Sequence, residues 1–274
     1  MTVPATNKAH IKNELLQIEQ DHSIDILFAV ESGSRMWGFE SPDSDYDVRF
    51  VYRSKDAAFY TGFKYVGVPY KDTIHFMSEG RMYDYCGWDL PKFMRHLENM
   101  NTSVVEWCHS PIVYINARAT VDLMVQKSFQ EYVKQYLNDF TRATDLLKPY
   151  MGMLMSKKCC SLENVKRAMY SARILLVLDL VGRNIVPAAF TWNYLIAETS
   201  WTAEQKRILK DLRQSKMDCA EKYAEMSVKA RILLENKKDA AQQVKMKNVN
   251  ESSLKESGEV KNARLAHIWE TFVK

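Results

Sequence analysis

Two apolar runs, residues 24–30 (Ile-Asp-Ile-Leu-Phe-Ala-Val) and 48–52 (Val-Arg-Phe-Val-Tyr), enclose Ser32-Gly33-Ser34-Arg35 and then Ser41-Pro42-Asp43-Ser44-Asp45-Tyr46-Asp47. Such runs, bounded by Gly, Ser and Pro, read as neighbouring strands. Side chains alternate along a strand with period two, so Asp45 and Asp47 share one face where the second strand begins. Magnesium is a hard cation that takes carboxylate, phosphate and water oxygens, so two carboxylates on one face suit a metal–triphosphate site. Gly33 and Ser34 are small enough for the backbone to approach a phosphate, and the residues after them can open a helix whose first amides favour an anion. Arg35 adds a positive charge. An isolated Asp-x-Asp reads more readily as a polar turn before a strand, with Asp43 and Asp45 as turn formers. Its combination with the Gly-Ser turn points instead to a nucleoside triphosphate.

These residues resemble the polymerase-β-like nucleotidyltransferase superfamily, whose signature is Gly-Ser, a spacer, and Asp-x-Asp on the next strand. Together with Trp37-Gly38-Phe39, Gly87-Trp88-Asp89-Leu90, Glu106-Trp107 and Ser110-Pro111-Ile112-Val113-Tyr114, they are similar to one branch of it. That branch is the RNA-repair-associated predicted nucleotidyltransferases of bacteria and phages, and the resemblance covers residues 20–200. It implies transfer of a nucleoside monophosphate from a nucleoside triphosphate to a hydroxyl with two Mg2+ ions, the best-fitting acceptor being an RNA or tRNA 3′ end. Kinship of fold fixes reaction class better than substrate. Nucleotidylation of a protein or small-molecule hydroxyl, and a non-catalytic nucleotide- or partner-binding module, are the competing readings.

The resemblance calls for a third acid. Arg81-Met82-Tyr83-Asp84-Tyr85-Cys86 reads as a short strand that would set Asp84 beside Asp45 and Asp47, where the superfamily carries that acid. The other candidate, Asp89, precedes Leu90-Pro91-Lys92 and has the signature of a helix N-cap. The expected catalytic and metal-binding set is therefore Asp45, Asp47 and Asp84, with Asp84 on the second metal, where it lowers the pKa of the acceptor hydroxyl. Gly33, Ser34 and Arg35 are expected to bind the triphosphate. Lys92, aligned with a family lysine, either reaches the triphosphate or covers its helix. Lys166, Tyr170 and Arg173 recur at i, i+4 and i+7 on one helix face, as a similar pattern does in the family. They either meet the nucleotide or form a solvated basic face. Arg49 shares strand parity with the two aspartates, so it either pairs with the acids or approaches a phosphate, or else takes a structural place next to the site, the reading favoured here. Pro91 stands where relatives carry a basic residue, and Asn101-Thr102 where they carry Asn-Pro. Both bear on whether the helix after Asp89 touches substrate.

With 274 residues, 46% hydrophobic and 26% charged, the chain has the makings of one large or two modest folded domains. A net charge of +4 admits a polyanion without identifying one. No apolar run approaches the roughly 20 residues that span a bilayer, and the N-terminal segment lacks an apolar signal core, so the expectation is no membrane and a cytoplasmic protein. Five cysteines without a Cys-x-x-Cys pair read as reduced thiols rather than a zinc site. His75 and His109, distant from the acids in sequence, read as structural or surface residues.

The fold class expected is α+β: a small mixed nucleotidyltransferase sheet with flanking helices, followed by an all-helical C-terminal domain. Strands fall near 25–31, 46–53, 72–77 and 81–86, between an amphipathic helix at 8–19 and a helix at 89–99. A connector spans 106–114, with an edge strand at 112–115. Helical periodicity then runs through 121–140, 162–181, 203–235 and 255–272. This divides the chain into a catalytic domain (1–117), a helical nucleotide- and substrate-binding domain (118–236), a mobile linker (237–257) and a C-terminal helix (258–274). Leu265, Ile268, Trp269 and Phe272 give that helix an apolar stripe expected to pack back on the helical domain.

Overall fold

The structure is a computed structural model that describes residues 3–56, 60, 71–118, 127–156, 162–218, 226–244 and 258–273. The chain forms two compact units, one from residues 1–36, 45–140 and 256–274, the other from residues 37–44 and 141–255.

The first unit is built on a mixed five-stranded sheet. Its strands are Ile24–Glu31 (β1), Tyr46–Ser54 (β2), Thr73–Ser78 (β3), Tyr83–Asp89 (β4) and Val113–Asn116 (β5), in the spatial order β3-β4-β2-β1-β5. β2 and β4 pair in parallel, and every other neighbouring pair is antiparallel. Period-two alternation sends Tyr46, Val48, Phe50 and Tyr52 to one face of β2. There they pack with Ile11, Leu15 and Ile18 of helix α1 (Ala5–His22), which ends at Ser23 in the left-handed conformation. The opposite face of β2 therefore carries Asp47 and Arg49.

Farther along that opposite face the sheet turns apolar and is covered by helices. These are α3 (Leu90–Glu98), α4 (Thr102–Cys108), α5 (Phe129–Phe140) and the last helix, Gly258–Val273. Phe129 anchors the packing, with ring centroids 5.8 Å from Phe28, 5.5 Å from Phe93 and 4.9 Å from Phe272. The C-terminal helix thus packs on the sheet unit, not on the helical domain as its stripe suggests. Arg53 Nη1 donates to the Phe272 carbonyl at 2.9 Å, and Lys261 Nζ to the Glu98 carbonyl at 2.8 Å. The same aromatic contacts keep α5 with the sheet, and this unit includes residues 45–140.

The second unit is helical: α6 (Ala143–Met155), α7 (Val165–Gly182), α8 (Trp192–Glu198), α9 (Ala203–Met217) and α10 (Val228–Val244), so that the C-terminal helix is α11. α7 buries 13 of its 18 residues, as befits a helix apolar almost all round, and the other four pack against it. Asn164 caps its start by accepting from the Arg167 amide at 2.9 Å. α6 escapes the sequence periodicity because Pro149 lies inside it. Residues 237–244, expected in a linker, continue α10. Their Ala, Gln and Lys are good helix formers, and the preceding turns bury Ala230, Leu233 and Leu234. Residues 245–257 of that expected linker lie outside the described residues. Among the described residues no helix is long and apolar enough to cross a membrane.

Glycines separate tight from open positions. A Cβ on Gly87 of β4 would lie 2.1 Å from Phe50 Cε2, whereas one on Gly152 inside α6 would meet nothing within 4 Å. Gly87→Ala is expected to cost about 1–3 kcal/mol of stability. Gly152→Ala should gain about 0.5–1 kcal/mol. Denaturant midpoints of the two variants check both signs.

Candidate active site

The site starts at the exit of β1. Gly33 adopts φ +59°, and a Cβ there would fall 1.8 Å from Asp47 Oδ2, so only glycine lets the turn lie against that carboxylate. The Ser32 amide donates to the Asp47 carbonyl at 2.8 Å, which fixes the turn to the second strand. A short helix, α2 (Gly33–Trp37), in the chain between β1 and β2, carries Ser34, which is buried, and Arg35. Arg35 Nε donates to the Asp45 carbonyl at 3.2 Å, and its guanidinium lies 3.9 Å from the centroid of the Tyr46 ring. Asp45 itself is exposed, immediately ahead of β2.

Glu31 ends β1 and is fully buried. Its Oε1 accepts from the Asp47 amide at 3.1 Å and its Oε2 from the Tyr114 hydroxyl at 2.5 Å. Burial pushes its carboxyl up to about 7, although both hydrogen bonds pull the other way. Burial and the adjacent Glu31 also raise the Tyr114 phenol.

The parallel pairing of β2 with β4 sets Asp47 opposite Asp84. Between them lies Arg49, whose Nη2 is 2.7 Å from Asp47 Oδ1 and 2.8 Å from Asp84 Oδ2. Burial acts to lower the pKa of this guanidinium, but the two carboxylates outweigh it and hold the group above its ordinary value. The remaining oxygen of Asp84 is 2.8 Å from His75 Nε2, on the neighbouring strand β3.

The structure separates the two candidates for the third acid. Asp84 stands at the Asp47 end of β4, and Asp89 stands at the other end, in register with Tyr52. Five residues of strand rise at about 3.3 Å each put them on the order of 16 Å apart. Asp89 caps α3 by accepting from the Lys92 amide at 2.9 Å, and burial pushes its carboxyl up to about 6. Lys92 shares that distant end, where its Nζ bonds Thr73 Oγ1 at 2.5 Å and Asp72 Oδ1 at 3.1 Å. It does not join the acids, in keeping with the departure from the family pattern at Pro91.

Lys166, Tyr170 and Arg173 lie on α7 of the helical unit. Lys166 is exposed, but Arg173 is 1% exposed, with its guanidinium 4.0 Å from the Trp37 ring centroid. Tyr170 meets Trp37 edge-on at 5.0 Å and Phe39 at 6.3 Å. Both side chains grip residues 37–44, the spacer between the Gly-Ser turn and the aspartates. α9 adds Arg213 Nε on the Gly38 carbonyl at 2.6 Å and Lys216 Nζ on Ser41 Oγ at 3.2 Å. Sequence reasoning missed these anchors, and it missed Glu31, Tyr114 and His75 as neighbours of the acids. Register alone brings the last three in, and no local pattern announces it.

Among the described residues no group of three His, Cys, Asp or Glu side chains is gathered as a metal cage. Asp47 and Asp84 nonetheless present hard oxygen donors in register, the kind magnesium takes, with the Gly33 backbone lying against Asp47 Oδ2. A mixed sheet with a Gly-Ser turn against the first of two facing aspartates is that of a polymerase-β-type nucleotidyltransferase. The chain belongs to the RNA repair pathway DNA polymerase beta family, whose model matches residues 8–256. It is also similar to the uncharacterized protein YcgL of Bacillus subtilis (strain 168), with 32% identity over 216 residues, 76% of this chain and 77% of that one.

The raised carboxyl of Asp89 predicts a pH effect. The unfolded chain ionises this group near 3.8 and the folded chain near 6, so its stabilising share is complete below 3.8 and is lost as pH rises to about 6. Asp89→Asn keeps a good capping residue and removes the charge. Relative to wild type it should gain on the order of 2 kcal/mol between pH 4 and pH 7, read from denaturant midpoints across that range.

Proposed function

We propose that this protein transfers a nucleoside monophosphate from a nucleoside triphosphate to a hydroxyl, with an RNA or tRNA 3′ end as the acceptor. The observation that carries the reading is the Asp47–Asp84 pair across β2 and β4, with the Gly33 backbone against Asp47. Membership in an RNA-repair polymerase-β family supports both the reaction class and the choice of acceptor.

Asp45, Asp47 and Asp84 are the residues that hold magnesium, as two ions in the superfamily manner. When bound, the metal supplies Lewis acidity to the α-phosphoryl group and lowers the pKa of the attacking hydroxyl. The chain's own part is positioning. Gly33 and Ser34 let triphosphate oxygens come close to the backbone, and Arg35 offsets the charge gathering on pyrophosphate as it departs. Glu31 and Tyr114 hold the Asp47 backbone from behind, which keeps the carboxylate aimed across the strand pair. Tyr170 and Arg173 contribute through the spacer they grip, which runs in sequence from the Gly-Ser turn to Asp45. Lys166 is exposed on the same helix. A cytoplasmic location agrees with an RNA acceptor.

A second reading, transfer to a protein or small-molecule hydroxyl, draws on the small net charge of +4. Salt separates the two, because activity on a polyanion falls steeply with ionic strength and activity on a small acceptor does not. The protein is incubated with magnesium and each α-labelled nucleoside triphosphate in turn, in a mixture of tRNA and total cell protein. Label is expected to enter RNA, and Asp45→Ala/Asp47→Ala to lower incorporation at least about a hundredfold. Label in protein would favour the second reading. Equal nucleotide binding by both forms with no transfer would leave a binding module.

A further inference from the structure

We propose that Arg49 is a built-in counter-cation of the acid cluster and competes with a divalent metal ion for the space between Asp47 and Asp84. This rests on the nucleotidyltransferase reading above. One planar guanidinium makes four bonds here. Nη2 reaches Asp47 Oδ1 at 2.7 Å and Asp84 Oδ2 at 2.8 Å, and Nη1 donates to the carbonyls of Asp84 at 2.8 Å and Val48 at 3.2 Å. The three side chains are only 16–19% exposed. Two carboxylates held in register with so little water need a positive charge between them, and arginine supplies one that does not titrate away.

A hard divalent ion seeks the same oxygens. Of the other two, Asp84 Oδ1 is held by His75, and Asp47 Oδ2 faces the backbone at Gly33. Asp47 Oδ1 and Asp84 Oδ2 cannot hold the guanidinium and a metal ion at full strength together. Metal entry therefore displaces Arg49 from between the carboxylates. The site's negative charge is partly offset while empty of metal, and it binds a bare divalent ion more weakly than three acids of this kind otherwise would. The released guanidinium is then a free cation beside the place where triphosphate charge arrives.

The test titrates Mn2+ alone into the full chain and follows free Mn2+ by electron paramagnetic resonance. Two variants remove the competing charge, Arg49→Met and Arg49→Gln. The second keeps a donor for the backbone carbonyls, so the strand pair is held. Both are expected to tighten Mn2+ binding at least about tenfold, a size in the range of the loss seen when supporting groups around metal ligands are removed, with the sign reversed because Arg49 competes with the metal for the same oxygens. Damage to the structure would weaken binding, not tighten it. Arg35→Gln removes a cation near Asp45 but not between Asp47 and Asp84, and should change affinity by less than about threefold, below that range. Unchanged or weaker binding in the Arg49 variants would overturn the proposal, as would an equal gain in Arg35→Gln, which would show only general charge. Absence of Mn2+ binding in wild type and every variant would instead overturn the metal-dependent reading on which the proposal rests.

Discussion

The parallel pairing of β2 with β4 is the constraint on which the site depends. Its register puts Asp47 across from Asp84, and the period-two alternation of β2 then places both carboxylates on the face opposite the α1-packed core. A slip of one residue would turn Asp47 into the core and Tyr46 out of it, at the cost of a buried charge and an exposed aromatic ring. The hydrophobic pattern that builds the sheet thus also fixes the acid cluster. Gly33 adds the third side of the arrangement, because its missing side chain is what lets the turn close on Asp47.

Charge compensation is the second organising theme. Arg49 ties the two facing carboxylates, and His75 holds the outer oxygen of Asp84. Behind them Glu31 is buried, held by a phenol and a backbone amide, and its raised carboxyl records a cost of burial that these hydrogen bonds and the charge of Arg35 only partly offset. The spacer between the Gly-Ser turn and Asp45 belongs to the helical unit, held there by Tyr170, Arg173, Arg213 and Lys216. Two side chains expected to meet nucleotide thus also hold the segment between the Gly-Ser turn and Asp45.

Local signals in the chain were enough for the sheet strands, the mixed α+β class, α1 and most of the helical second half. Each rests on periodicity that needs only near neighbours in sequence. The placement of Asp47 beside Asp84 was legible because strand parity and a family signature coincide on them. His75, Glu31 and Tyr114 were not, since their proximity to the acids follows from register between strands distant in sequence. The surroundings of Lys92 were hidden for a related reason. A lysine on the first turn of a helix looks available for phosphate until β4 is seen to carry it to the far end of the sheet, where Asp72 and Thr73 take it up. The C-terminal helix was misplaced because an apolar stripe shows that something must cover it, not what does. The aromatic cluster around Phe129 decides that.

The central claim is that nucleotidyl transfer is carried out at the Asp47–Asp84 end of the β2–β4 pair. The most direct measurement compares Asp84→Asn with Asp89→Asn for transfer of label from an α-labelled nucleoside triphosphate at saturating magnesium. The account predicts that Asp84→Asn abolishes transfer while Asp89→Asn, at the helix cap, retains the wild-type rate. Loss of transfer in Asp89→Asn with full activity in Asp84→Asn would contradict it and move the chemistry to the opposite end of the sheet.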